Sequence, residues 1–430
     1  MNLGDKVILE IIDYDHTGRG LGKADGAVVF TDGGFIGDKV LVEIIKCKKR
    51  FFEGEILEYI EKTKDRVKNP CPYGKLCGGC SFLGWNYEKE LEWKKSRVQD
   101  VMDRIADLEV KVEDVVYMKE PYGYRNHMQF HQGGKYFGLF DKKAKGIVPI
   151  KSCLMQKEKA NKYLEEIQGK SYVADFDKLG LRTNSQGQVM AIFVSKKPLT
   201  ESNLHKIVAD AIDCKIDSLY FSLNKNPKYH YGKDFDHLYG LEYLEEELGG
   251  YKFQISPSSF FQVNLAQAEK LAAMVKESLK NREWDIVMDL FCGIGSLSLP
   301  LSEFSKEVIG VEINPKAIDD ARDTASKNGK ENLRYIAGRV EKILPRLLEE
   351  ENLSPQALVL DPPRAGVEEE ALQSILESLP ERITYVSCNP STLARDLKVL
   401  GQKYRVEKVI PVDMFPRTAH VETIALIQKI

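Results

Sequence analysis

Two residues far apart in the chain could carry one reaction. Cys388 closes the run Tyr385-Val-Ser-Cys-Asn-Pro390, and Glu422 opens an apolar run just after Thr418-Ala-His-Val421. Both runs read as β-strands. A strand-end thiol beside a strand-start carboxylate supplies a nucleophile and a candidate base, if the sheet makes the two strands neighbours. A free thiol is only a few per cent thiolate at neutral pH, and nothing in the sequence says what would activate Cys388.

A cofactor pocket reads from the same part of the chain. Asp289-Leu-Phe-Cys-Gly293-Ile-Gly295 follows an apolar strand, and Glu312 ends the next one. A glycine turn lets backbone approach a nucleotide-like ligand, and an acid about 20 residues on can accept both ribose hydroxyls. The third glycine of a dinucleotide fingerprint is absent, since Ser298 stands there. The pattern suits an adenosyl ligand without a pyrophosphate. S-adenosylmethionine is such a ligand, and its cationic sulfur favours nearby carboxylates. Asp361-Pro-Pro-Arg364 and the segment Phe260-Phe-Gln262-Val-Asn264 point at the same crevice.

The eight cysteines divide by position. Cys71, Cys77 and Cys80 lie within ten residues on a Gly/Pro-rich loop, and Cys153 is the nearest spare fourth ligand. Four thiolates suit a structural zinc or an iron–sulfur cluster. A structural zinc usually arrives as two C-x2-C pairs, and the C-x5-C-x2-C spacing with a single fourth cysteine favours the cluster. A radical S-adenosylmethionine enzyme would use C-x3-C-x2-C.

These residues need three kinds of scaffold. Residues 1–62 read as a small OB-like β-barrel of short apolar runs separated by glycines, with Lys46, Lys48, Lys49 and Arg50 beside Phe51 and Phe52. Residues 63–248 read as a mixed α+β domain. Within it, 86–104 is a charged amphipathic helix with Leu91, Val98, Val101 and Ile105 at helical spacing, a helix that could pack on the C-terminal domain. Residues 121–163 carry nine Lys/Arg against two acids, a local charge of +7, interleaved with Tyr122, Tyr124, Phe130, Tyr136, Phe137 and Phe140. Cations and aromatics together suit phosphates and stacked bases. Residues 249–430 alternate helix and strand as a doubly wound, Rossmann-like sheet. The predicted strands are 286–290, 307–311, 333–336, 357–360, 383–386, 405–412 and 422–427, with a helix over 264–279.

The 430 residues are 43% hydrophobic and 30% charged, a globular balance that excludes a disordered or collagen-like chain. No apolar run reaches 18 residues, and the first ten carry acids where a signal peptide would be basic, so a cytoplasmic location is expected and no membrane partner. The net charge of −3 argues mildly against nucleic acid as a total. Its distribution argues the other way, since the basic stretch is offset by acidic runs such as 242–247.

Taken together, the motifs Ser387-Cys-Asn-Pro390, His420-Val-Glu-Thr423, Asp361-Pro-Pro-Arg364, Phe260-Phe-Gln-Val-Asn264 and Asp289-Leu-Phe-Cys-Gly-Ile-Gly295 resemble the RNA 5-methyluridine methyltransferase family in order and spacing. The cysteine pattern is similar to the branch that carries a [4Fe–4S] cluster, and the N-terminal barrel to that branch's TRAM domain. The resemblance implies a class I methyltransferase domain and an RNA substrate, 23S rRNA first and the tRNA T-loop second. It implies Cys388 as nucleophile, Glu422 as base, and Gln262, Phe291, Glu312 and Asp361 as contacts to S-adenosylmethionine. Cys71, Cys77, Cys80 and Cys153 would hold the cluster, and the chain is expected to act as a monomer. The sequence departs from the pattern at Ser296, where relatives often have Asn, and at Arg339, which is not carried over.

The chemistry explains the residue types. C5 of uracil is too weak a nucleophile to take a methyl group unaided. Thiolate attack at C6 moves electron density to C5, and a base must then remove the C5 proton so that the thiol can leave. The base is reached only if the nucleotide is flipped from its stack, and Phe260 could either stack on it or serve as a core aromatic. An adenine amino-methyltransferase would carry an aromatic after Asp-Pro-Pro, where Arg364 stands, and needs no Cys388. A non-catalytic iron–sulfur RNA-binding or redox protein would explain residues 1–160 and leave Cys388 and Glu422 idle.

Overall fold

A computed structural model describes residues 1–430. Three sheets follow one another along the chain. The first has six strands, with Lys6–Glu10, Lys39–Cys47, Phe52–Glu61, Ala27–Thr31, Gly20–Ala24 and Asp13–Tyr14 as neighbours in that order. Ile12 N donates to Leu21 O at 2.8 Å, which draws the two ends of the sheet together. Glycines 20 and 22 read as separators in the sequence, yet they lie within a strand. A Cβ on Gly22 would strike the Leu9 side chain and Glu10 O, so only glycine lets the barrel wall come this close.

The central sheet has seven strands: Asp236–Gly240, Ser218–Leu223, Val189–Ser195, Lys178–Thr183, His127–Gly133, Tyr136–Phe140 and Ile147–Pro149 in spatial order. Helices Glu158–Ile167 and Glu201–Asp213 accompany it. The strand alternation corrects one expectation. Tyr124, Phe130 and Phe137 are core residues, while Tyr136 and Phe140 face outward. Successive side chains of a strand take opposite faces, so only part of the aromatic run can meet a ligand.

The C-terminal sheet contains all seven predicted strands. Its order is Leu333–Ala337, Ser305–Glu312, Trp284–Leu290, Ala357–Leu360, Arg382–Ser387, Glu422–Lys429, Tyr404–Val412. The first five are parallel, and Glu422–Lys429 runs antiparallel to both neighbours. The order reverses direction beside Trp284–Leu290, which places a ligand crevice at the carboxyl end of that strand. Nearly continuous apolar runs fit strands buried on both faces.

A helix over Tyr87–Val101, capped by the Asn86 side chain, lies on this sheet. Its Val98 shares a core with Met288, Leu358 and Tyr385. Its buried stripe is Glu90, Trp93, Lys94 and Val98, whereas Ile105, expected inside, is exposed. Apolar periodicity cannot register a buried ion pair, which is why the stripe was misplaced.

Candidate active site

The sheet register brings Cys388 and Glu422 together. Ser387 pairs with Thr423 across the antiparallel ladder, so the next position in register sets Cys388 against Glu422. Asn389 then caps the helix Pro390–Leu400, its side chain accepting from Ser391 N at 3.2 Å. Cys388 thus sits at a helix N-terminus, where the backbone dipole favours a thiolate.

The pocket around them is rich in acids. Glu422 is 7% exposed, and Asp289 is fully buried. Burial, reinforced by the charge of Asp361, pushes the Glu422 carboxyl up to about 8, with Arg364 pulling the other way. Burial and then Asp289 push Asp361 up to about 7. Asp289 is likewise raised to about 7, by burial first and Glu312 among the further causes, although it accepts from Ser298 Oγ at 2.5 Å. The Cys388 thiol is pushed up to about 11 by burial, then by Glu422 and Asp361, against the pull of Arg364. Three buried carboxyls thus share this space with one nearby cation, Arg364.

The glycine turn approaches this pocket as its spacing requires. Phe291 takes φ +71, a strained value for an aromatic residue, and its N–H donates to Val311 O at 2.8 Å. Gly295 has φ +82 and leaves no room for a Cβ beside Tyr335. Glu312 accepts from Asn314 N at 2.8 Å and Gly293 N at 3.3 Å, which holds it at the rim of the turn. Ser296 lies in the same turn and Arg339 caps a neighbouring helix, exposed and ion-paired to Glu341.

Gln262 arrives from another direction. It precedes Asn264, which caps the helix Leu265–Leu279 and donates to Met414 O at 2.9 Å. Met414 belongs to the connection that leads into Glu422, so one buried asparagine ties the two segments. Phe260 is 70% exposed, which removes the reading of a core aromatic.

The four cysteines 71, 77, 80 and 153 meet elsewhere, around a cavity of about 750 Å³ between the cysteine loop, the central sheet and the segment 258–263. Each is partly exposed and none is disulfide-bonded. Burial raises the Cys80 thiol, and the other three thiols add to the shift, so all four act on one space. No three His, Cys, Asp or Glu side chains converge on a single ion position. The four thiols share one void without forming a metal-binding group.

Sequence reasoning missed a buried ionic network behind the site. Lys94 Nζ lies 2.8 Å from Glu90 and 2.6 Å from Asp413, both fully buried, and Arg417 bonds Glu90 at 3.1 Å. Arg417 also lies over the Tyr87 and Tyr122 rings. The only sequence signal is the Glu90/Lys94 spacing, which looks like an ordinary surface pair.

A family model described as tRNA (uracil-5-)-methyltransferase matches residues 86–430. The chain belongs to this family. A TRAM domain model matches residues 3–57. This uracil-5-methyltransferase family member is 36% identical to an uncharacterized RNA methyltransferase of Clostridium acetobutylicum, over 98% of this chain and 96% of the relative. It is 34% identical to one of Halalkalibacterium halodurans, over 100% and 98%. Its fold matches the crystal structure of a Pyrococcus abyssi tRNA (uracil-54, C5)-methyltransferase in complex with S-adenosyl-L-homocysteine. The TM-score is 0.77 at 26% identity, covering 98% of this chain and 100% of that one. The family member is thus an RNA methyltransferase built of a TRAM domain and a methyltransferase fold. No helix is long and apolar enough to cross a membrane.

Proposed function

We propose that the protein transfers a methyl group from S-adenosylmethionine to C5 of a uridine in RNA, with Cys388 as nucleophile and Glu422 as base. The register that sets Cys388 against Glu422 carries this reading. Gln262, Phe291, Glu312 and Asp361 are the proposed contacts to the methyl donor. When bound, the donor supplies a methyl group on a cationic sulfur. Asp361 and Asp289 offer it negative charge that the protein itself leaves uncompensated.

The protein's residues then divide the work. Cys388 sulfur bonds to C6 of the uracil, and the electron pair moves toward C5. After C5 has taken the methyl group, Glu422 accepts the C5 proton. The electron pair returns to the ring and expels the Cys388 thiolate. Arg364 and the helix N-terminus at Asn389 favour the thiolate that both ends of this sequence require.

The proposed RNA is 23S rRNA, taken up by the barrel and the central sheet. One finding favours a second reading, the T-loop uridine of tRNA: the whole-chain structural match is itself a tRNA (uracil-54, C5)-methyltransferase. Mass mapping of methyluridine in ribosomal and transfer RNA, with and without the gene, separates the two. Cys388→Ala should abolish methylation while S-adenosylmethionine still binds, and normal turnover in that variant sinks the mechanism. We also propose that Cys71, Cys77, Cys80 and Cys153 hold a [4Fe–4S] cluster. Anaerobically purified protein should contain iron and sulfide, and zinc without iron would refute the cluster.

A further inference from the structure

We propose that the barrel turn over residues 15–20 forms one jaw of the RNA entrance, with His16 set against a phosphodiester next to the target uridine. This rests on the RNA reading above, and assigns the turn a place in the site.

The turn is rigid before any ligand arrives. Asp15 Oδ1 accepts from Thr17 N at 2.8 Å, Thr17 Oγ1 at 2.6 Å and Arg19 N at 3.0 Å, and Oδ2 takes Arg19 Nε at 2.8 Å. Asp15 N donates to Arg19 O and Gly18 N to Asp15 O. A turn so closed presents its tip with little entropy left to lose.

The turn is also docked on the catalytic segment. Ser81 Oγ donates to Thr17 O at 3.1 Å. Gly18 has φ +86, and a Cβ there would lie 2.5 Å from Ser81 Cβ and 3.3 Å from Ala419 Cβ. Ala419 is buried within the barrel's own core cluster, beside Leu9 and Ile11. The barrel therefore grips the residue that precedes His420, three positions before Glu422.

At this junction the charges come from three parts of the fold. His16 is exposed at the tip of the barrel turn. Arg125 lies just before the strand His127–Gly133, against the cysteine cavity, and its Nε is buried without a hydrogen-bond partner. Arg364 follows the two prolines of the methyltransferase domain, and its charge reaches Cys388 and Glu422. All three act on the His420 imidazole, which burial first, and then these cations with Lys94, push down to about 4. Lys94 is spent in its buried pairs, whereas none of the other three has a carboxylate within ion-pair distance. Two guanidinium groups without ion-pair partners, and a histidine on a turn docked beside the catalytic segment, suit a phosphate that bridges separate domains. The surface continues from His16 to Arg19, which lies 5.0 Å from the Phe30 ring centre, and Phe30 packs edge-on against Phe51. A single strand crossing this face meets charge and stacking surface in turn.

Fluorescence anisotropy with a labelled 12-nucleotide oligouridylate tests the assignment on the full-length protein at pH 6, where imidazole commonly carries charge. His16→Ala should weaken binding several-fold and reduce the slope of log affinity against log salt by about 0.7, the value for one phosphate contact on a single strand. His16→Arg should retain both. Gly18→Val, which forces the turn off Ser81 and Ala419, should weaken binding like His16→Ala while S-adenosylhomocysteine affinity is unchanged. Equal affinity and slope for His16→Ala, or no binding by the unaltered protein, overturns the proposal. Failure of the unaltered protein to methylate any RNA would count against the proposed function alone, since the affinity comparison needs no turnover.

Discussion

Glu422 is a stronger base than a surface carboxylate because burial and Asp361 hold its proton up to about 8. Only its ionised form can accept the C5 proton, so release of methylated RNA from the Cys388 adduct should rise with pH through about 8. A flat profile between pH 6.5 and 9 would remove Glu422 from the role of base. Glu422→Gln should leave thiol attack possible and block proton removal. Labelled RNA should then run as a slow, protein-linked band on a denaturing gel. The acids at 289 and 361 allow a second test. Both titrate near 7 in the free protein, and a bound cationic sulfur favours their charged forms. Donor binding at pH 7 should therefore release protons, read as a dependence of binding heat on buffer ionisation enthalpy. The release should fade at pH 9, where the acids are already ionised. By the same linkage, raised carboxyl groups stabilise the free protein below their unfolded values near 4 and lose that contribution as pH rises through 7–8.

At the scale of elements, the helix Tyr87–Val101 and the connection from Asp413 to Val421 act as one unit. Lys94 balances two buried carboxylates, so Lys94→Met leaves Asp413 without a cation and Glu90 with Arg417 alone. Loss of one partner of a buried ion pair costs about 3–5 kcal/mol. The urea midpoint should fall accordingly, and an unchanged midpoint would show that the network contributes little. The helix itself was legible from its polar and apolar spacing and its Asn86 cap. Which face it buries was not, because two of its four buried residues are charged.

At the scale of the molecule, the barrel is fastened to the rest. Tyr14 packs against Phe82, Trp85 and Trp93 with ring centres 4.7, 5.3 and 5.3 Å apart. Deleting residues 1–62 should expose these rings, at about 1.5–3 kcal/mol for each large side chain uncovered. A lower melting temperature and increased binding of a hydrophobic dye are expected. Unchanged melting would mean that the barrel is an independent arm.

The sequence by itself determined the candidate reacting residues and the strands that bear them. Thiol, carboxylate and glycine turn announce their chemistry by type, and continuous apolar runs announce buried parallel strands. Only the tertiary structure decided that Cys388 faces Glu422, because strand order and register depend on contacts between residues 34 positions apart. It alone decided that three acids without an ion-pair partner share one pocket, that Phe260 is exposed while Phe130 and Phe137 are not, and that the barrel turn at Gly18 docks on Ala419. Charge and burial are sums over neighbours, and the neighbours that matter here come from distant stretches of the chain.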